Sequence, residues 1–233
     1  MVLDLVFPKR CPVCLDALPP GDKLICEPCI RKIRYVKQPR CYRCGRPMKD
    51  GTEEYCGNCR NRPPSFDKGL VWAEYGSKYI RRMLAEVKYH EDPQLLDFPC
   101  LDFAEKVRRE AEVFRAECLI PVPVHKSRLK ERGYNQAEEI AVRLGRALDI
   151  PVDASYLLRT KKTAAQKTLH DRERIANLQE VFSCMGPYKK YRRVILVDDI
   201  LTTGATAEAC TRVLKTAGVE AVLFLALASG QGK

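Results

Sequence analysis

Eight cysteines between positions 11 and 59 form a strict repeat, which limits what the front of this 233-residue chain can become. Cys11, Cys14, Cys26 and Cys29 recur as Cys41, Cys44, Cys56 and Cys59, each unit reading C-x2-C-x11-C-x2-C. A fixed repeat marks one structural unit per copy. Two thiolates on a tight turn supply two corners of a tetrahedron, and a second such turn supplies the others. Gly45 and Gly57 follow cysteines where the backbone must turn sharply. In a reducing cytoplasm these thiols would not persist as disulfides. A redox pair needs one C-x-x-C rather than four in register. No histidine or carboxylate at fixed spacing suggests an activated water, so two structural zinc ions are expected. The simplest pairing puts the first four cysteines on one ion and the last four on the other, and an interleaved pairing stays open. Cys100, Cys118, Cys184 and Cys210 lack metal spacing and read as small core residues.

Pro63 and Pro64 mark a linker, so the expected division is a double zinc unit over 1–62 and a second domain over 66–233. Loss of a ligand such as Cys26 is then expected to unfold the front unit alone. Behind the linker, residues 68–75 read as a strand and 77–87 as a helix, with Ile80, Met83, Leu84 and Val87 at helical spacing. A longer helix is expected over 95–114, a strand over 118–122 and a helix over 135–148. Short strands follow at 154–158 and 180–183, then a β-branched strand at 194–197, a helix over 203–217 and a last strand over 221–227. Apolar strands alternating with amphipathic helices predict an α/β fold with a parallel sheet and helices on both faces.

Residues 194–206 read VILVDDILTTGAT. A buried strand runs into two acids, then a Thr/Gly-rich turn, then a helix. Backbone N–H groups at a helix start, with the helix dipole behind them, favour an anion. Gly204 lets the backbone approach closely, and Thr203 and Thr206 add hydroxyls. Asp198 and Asp199 lie at the carboxyl end of the strand, where open α/β sheets bind ligands. Carboxylates would repel a phosphate but suit sugar hydroxyls or a divalent metal.

The formal charge of +11 counts every cysteine as neutral. Eight thiolates set against two Zn²⁺ lower it to +7, and the remaining surplus suits polyphosphates or a nucleic-acid backbone. Residues 1–8 contain Asp4 and no basic leader, a poor signal peptide. The apolar run 221–228 is far shorter than the roughly 20 residues a membrane span needs. The chain therefore reads as soluble and cytoplasmic, with no transmembrane segment.

The pieces FPKRCPVC, PVPVHKSRLKERGYNQAEEIA and RTKKTAAQKTLHDRERIANLQEVF precede the VILVDDILTTGAT loop in that order. Together they resemble the ComF family of competence-associated proteins, in which a double zinc ribbon precedes a type I phosphoribosyltransferase-like domain. The resemblance covers nearly the whole chain, and Arg132-Gly133-Tyr134-Asn135-Gln136 is its most specific motif. It implies that Asp198 and Asp199 hold ribose hydroxyls of 5-phosphoribosyl-1-pyrophosphate with Mg²⁺. Thr202, Thr203, Gly204, Ala205 and Thr206 would then cradle the 5′-phosphate. It also implies pyrophosphate contacts from His125, Lys126 and Arg128 in the turn after the first core strand. Lys161, Lys162, Lys167 and Arg172 would contribute from a closing loop.

One position departs from relatives that act on 6-oxopurines. Where they carry an acid before the Thr-Gly pair, this chain has Thr202, and no other residue stands out as a general base. Two functions are therefore carried forward. The resemblance implies a competence protein that binds a phosphoribosyl ligand and single-stranded DNA, weakly and without sequence preference, alongside other competence proteins. The alternative is an active phosphoribosyltransferase of nucleotide salvage with an unknown acceptor.

Overall fold

A computed structural model describes residues 8–19, 21, 23–89, 92–160 and 181–230. Four strands form one parallel sheet in the order β1–β6–β5–β2: β1 Lys68–Glu74, β2 Cys118–Pro121, β5 Arg193–Leu201 and β6 Ala221–Ser229. Alternation along the strands sends neighbours to opposite faces. Leu119, Ile195 and Leu223 face one layer, and Ile120, Leu196 and Phe224 face the other. The first layer is closed by α3 Lys78–Tyr89, α4 Asp97–Phe114 and α6 Gln136–Leu148. The second is closed by α7 Ala205–Thr216 and by a separate antiparallel pair, β3 Leu157–Arg159 with β4 Phe182–Cys184. The expected parallel sheet with helices on both faces is the architecture observed.

The cysteine repeat is a repeat of backbone hydrogen bonds too. Cys11 N–H donates to the Asp16 carbonyl and Leu15 N–H to that of Cys11. In the second copy, Cys41 N–H donates to Arg46 and Gly45 N–H to Cys41. Leu15 and Gly45 hold the equivalent left-handed position, at φ 66° and 71°. Gly57 has no such conformation; it opens the short helix α2 Gly57–Asn61, the counterpart of α1 Glu27–Ile30.

The ribbon lies along the open edge of β1. Val36 N–H donates to Trp72 O, Glu74 N–H to Arg34 O, and Gly69 N–H to Arg43 O. Its side chains enter both layers. Cys11, Val13, Leu18, Ile25, Cys29 and Ile33 join the layer with α3 and α4, and Cys41, Cys44, Cys56 and Cys59 join the layer with α7. An edge strand is thus covered rather than left open.

Several element limits differ from the sequence reading. The helix expected from 95 begins as a 3-10 turn, Pro93–Leu96, before α4. The strand 154–158 is displaced to Leu157–Arg159 and lies outside the main sheet. A seven-residue helix, α5 Lys126–Arg132, occupies what reads as an irregular basic turn. Its sequence has Leu129 as its one apolar side chain, so it carries no periodic signal. Cys100, Cys118 and Cys210 are buried as expected, whereas Cys184 is half-buried on β4.

Candidate functional site

The carboxyl ends of β5, β1 and β6 meet the zinc ribbon around one cavity of about 610 Å³. From the ribbon come Cys44, Arg46, Asn58, Cys59 and Arg62. Facing them are Thr202, Thr203, Gly204 and Ala205, with Tyr75 and Gly230 between. The two acids lie just behind this turn, still within β5, which runs beyond the sequence expectation to Leu201.

The turn has the geometry its sequence implies. Gly204 caps α7 in the left-handed conformation at φ 86°, where side-chain-bearing residues are strained. Thr202 and Thr203 are exposed, and the Thr203 hydroxyl accepts from Ala205 N–H at 3.3 Å. Asp198 accepts from Asp199 N–H at 2.9 Å and Asp199 from Ile200 N–H at 2.8 Å. Burial and the adjacent Asp199 carboxylate push the Asp198 carboxyl well above its ordinary range, and Lys88 at the end of α3 opposes them. A metal ion or hydroxyl donors brought to this pair would relieve the repulsion.

Glu208 is a residue the sequence reading passed over. It is buried on the first turn of α7 and accepts from Ser65 N–H and Ser65 Oγ at 2.6 and 2.7 Å, and from Arg212 Nε at 2.5 Å. It therefore ties the Pro63–Pro64 linker to the helix that starts at the turn. Its only sequence signal is an acid in a first helical turn, which is also the ordinary place for one.

The basic groups divide. His125 caps α5, its Nδ1 accepting from Ser127 N–H at 3.1 Å, so it has a structural task in this conformation. Lys126 and Arg128 follow it on exposed positions. The chain segment that leads into this helix passes beside the acids: Val122 N–H donates to Val197 O at 2.8 Å, one residue before Asp198. Lys161, Lys162, Lys167 and Arg172 lie outside the described residues.

The Arg132–Gln136 motif is a junction. Gly133 ends α5 at φ 75°, and Tyr134 Oη donates to the Val87 carbonyl at the end of α3. Asn135 caps α6 by accepting from Ala137 N–H and donates to Val122 O, both at 3.1 Å. One short segment thus fixes α3, α5, α6 and the exit of β2 around the acid pair.

The cysteines come together as two sets, Cys11/Cys14/Cys26/Cys29 and Cys41/Cys44/Cys56/Cys59, the sulfurs of each within 4.8 Å of one another. This settles the pairing in favour of the simple order. Cys14 and Cys26 Sγ are 3.8 Å apart, and Cys44 and Cys56 Sγ 3.7 Å. A tetrahedron with Zn–S arms of about 2.3 Å has edges of roughly 3.8 Å. Both sets fit structural zinc, each with four thiolates and no position left for a water.

A double zinc ribbon docked on a phosphoribosyltransferase-type sheet is the class these features define. The double zinc ribbon domain family matches residues 2–60, and the phosphoribosyl transferase domain family matches residues 129–233. Competence protein F of Haemophilus influenzae is 33% identical over 227 residues, 95% of this chain and 97% of that protein. DNA utilization protein YhgH of Escherichia coli K12 is 29% identical, covering 94% and 96% of the two chains. Competence protein ComFC of Bacillus subtilis is 27% identical, covering 84% and 80%. The chain belongs to the ComF family. A crystal structure of a purine phosphoribosyltransferase from Pyrococcus horikoshii aligns over 58% of this chain and 73% of its own, at 24% identity and a TM-score of 0.36, too low to bear on function. Among the described residues no helix is long and apolar enough to cross a membrane.

Proposed function

We propose that this protein binds 5-phosphoribosyl-1-pyrophosphate with Mg²⁺ at the Asp198–Asp199 pair and the turn Thr202–Thr206, and handles incoming single-stranded DNA in the cytoplasm during natural transformation. The observation that carries the ligand reading is the turn: two acids at a strand's carboxyl end, then Gly204 in the left-handed conformation opening a twelve-residue helix. Lys126 and Arg128 are assigned to the pyrophosphate, with Lys161 and Lys162 joining them. The DNA role rests on the names of the relatives, two competence proteins and a DNA utilization protein. Other competence proteins are its expected partners.

Surface chemistry supports the DNA reading at particular tyrosines. Tyr42, Tyr89 and Tyr188 are 61%, 68% and 69% exposed, and Lys88, Arg132 and Lys189 lie over the last two rings. Base stacking beside cations is how sequence-tolerant single-strand binding works. Tyr35 and Tyr191 do not qualify. Tyr35 packs edge-on against Trp72, and Tyr191 packs on Tyr156 and donates to Asp153. Fluorescence anisotropy with a labelled oligonucleotide should show weak binding whose log affinity falls with log salt by about 0.7 per contacted phosphate, over a few contacts. Tyr89→Ala should weaken it severalfold. No binding at low salt would remove the DNA reading and favour the metabolic one.

An active phosphoribosyltransferase is the second reading, favoured by the intact acid pair and turn. Thr202, standing where oxopurine enzymes carry an acid, disfavours it. A screen of nucleobases with the phosphoribosyl donor and Mg²⁺ separates the two. Pyrophosphate release that depends on one base supports the enzyme, and ligand binding without release supports the handling protein.

A further inference from the structure

We infer that Arg46 is a positioning residue for the phosphate turn, through which the second zinc centre sets the protein's affinity for its phosphoribosyl ligand. The inference rests on the ligand reading above. Arg46 follows the knuckle of Cys41 and Cys44, and its guanidinium Nη2 donates to the carbonyl of Thr202, 156 positions away in the chain. It is 5% exposed, and among the described residues it forms no ion pair. A buried guanidinium is costly unless its charge and its donors are used. Here two neighbours use them. A zinc bound by four thiolates carries a net negative charge, and Cys44 and Cys59 of that centre line the same cavity as the turn. Arg46 lines that cavity with them and is bonded to a turn read as an anion site, where an unscreened thiolate centre would oppose a phosphate.

The contact also fixes geometry. In a trans peptide the carbonyl and the following N–H point in opposite directions. Holding the Thr202 carbonyl against Arg46 therefore turns the Thr203 N–H away from the ribbon. Gly204 is the next residue, at a left-handed φ and with space around the position of a Cβ, so within the turn it is the Thr203 hydroxyl's bond to Ala205 N–H that adds to the hold of Arg46. The backbone of Arg46 is held in its turn by the knuckle, its carbonyl accepting from Cys41 N–H at 2.9 Å. Metal, knuckle, guanidinium and turn form one chain of contacts. The first zinc set shares no wall with this cavity.

Coupling between two bound species is reciprocal. If the second zinc centre strengthens ligand binding, the ligand must retain that zinc. The test titrates the two ions out of the wild-type protein to equilibrium with a zinc-selective chromogenic chelator, with and without 5-phosphoribosyl-1-pyrophosphate and Mg²⁺, alongside calorimetry of the same sample. The affinity for one ion should rise severalfold with the ligand, and that for the other should be unchanged. In Arg46→Met, of similar bulk but without a donor, affinity for the ligand should drop tenfold or more and that rise should vanish. Arg46→Lys, which keeps a charged donor, should recover most of both. Ligand that does not bind the wild type at all would sink the ligand reading. Ligand that binds while the affinities for both ions stay unchanged would overturn the coupling alone, whatever the variants do.

Discussion

Cys44→Ser should reduce the zinc content from two ions per chain to one and unfold far more than the ribbon. Structural zinc sites of this type contribute on the order of 10 kcal/mol to small domains, and a whole domain is stable by only about 5–15 kcal/mol. Where that loss falls depends on packing. Cys41, Cys44, Cys56 and Cys59 are buried in the same layer as Val194, Phe224 and Leu214, and Cys11 and Cys29 lie in the layer with Leu223 and Met83. The sequence suggested a front unit that could be lost by itself. The shared layers and the backbone hydrogen bonds to β1 instead make each zinc set part of the core of the sheet. Cys44→Ser is therefore expected to yield little folded protein, with metal analysis and near-UV circular dichroism as the readouts. Cys100→Ser, at an equally buried thiol outside both sets, should cost only about 1–3 kcal/mol and keep both ions.

Gly45→Ala should lower the melting temperature by roughly 10 °C, the result of about 2–5 kcal/mol in a chain of this size. A Cβ at Gly45 would lie 2.4 Å from the Gly69 carbonyl oxygen and 2.8 Å from Leu70 Cα, both backbone atoms that have nowhere to go. The left-handed φ of 71° adds strain for any other residue. Gly69→Ala meets Cys44 from the other side, its Cβ 2.8 Å from the Cys44 carbonyl oxygen, and should do similar damage. The two glycines are the place where the second knuckle touches β1 backbone to backbone. Leu15 holds the matching position in the first knuckle at φ 66°. Leu15→Gly relieves strain there while removing a partly buried side chain, so its melting temperature should change far less.

Local signals carried most of the fold. The cysteine spacing, the β-branched strand before Asp198 and the helical spacing of Ile80, Met83, Leu84 and Val87 each depend on residues close in sequence, and each element formed. Contacts across long separations were not legible. Nothing near Arg46 announces Thr202, and nothing near Glu208 announces Ser65. The Arg132–Gln136 motif was visible as specific, but its task was not, because its contacts to Val87 on α3 and to Val122 just past β2 lie far along the chain. Helix α5 escaped for a different reason: it is held by its caps, His125 and Gly133, rather than by an apolar face. The acid pair and turn were legible as a unit because strand end, turn and helix start are consecutive in the chain.

The central claim is that this turn binds a phosphoribosyl ligand. Isothermal calorimetry of 5-phosphoribosyl-1-pyrophosphate with Mg²⁺ tests it most directly, on the wild type and on Asp199→Asn and Gly204→Val. The account predicts saturable one-to-one binding by the wild type. Asp199→Asn removes a charged acceptor, and hydrogen bonds to charged groups are worth about 1.5–3 kcal/mol, so affinity should fall roughly tenfold to a hundredfold. Gly204→Val places a β-branched residue at φ 86° and should abolish binding while both zinc ions stay in place. Equal affinity in all three proteins, or no binding by a folded wild type carrying both ions, would contradict the account.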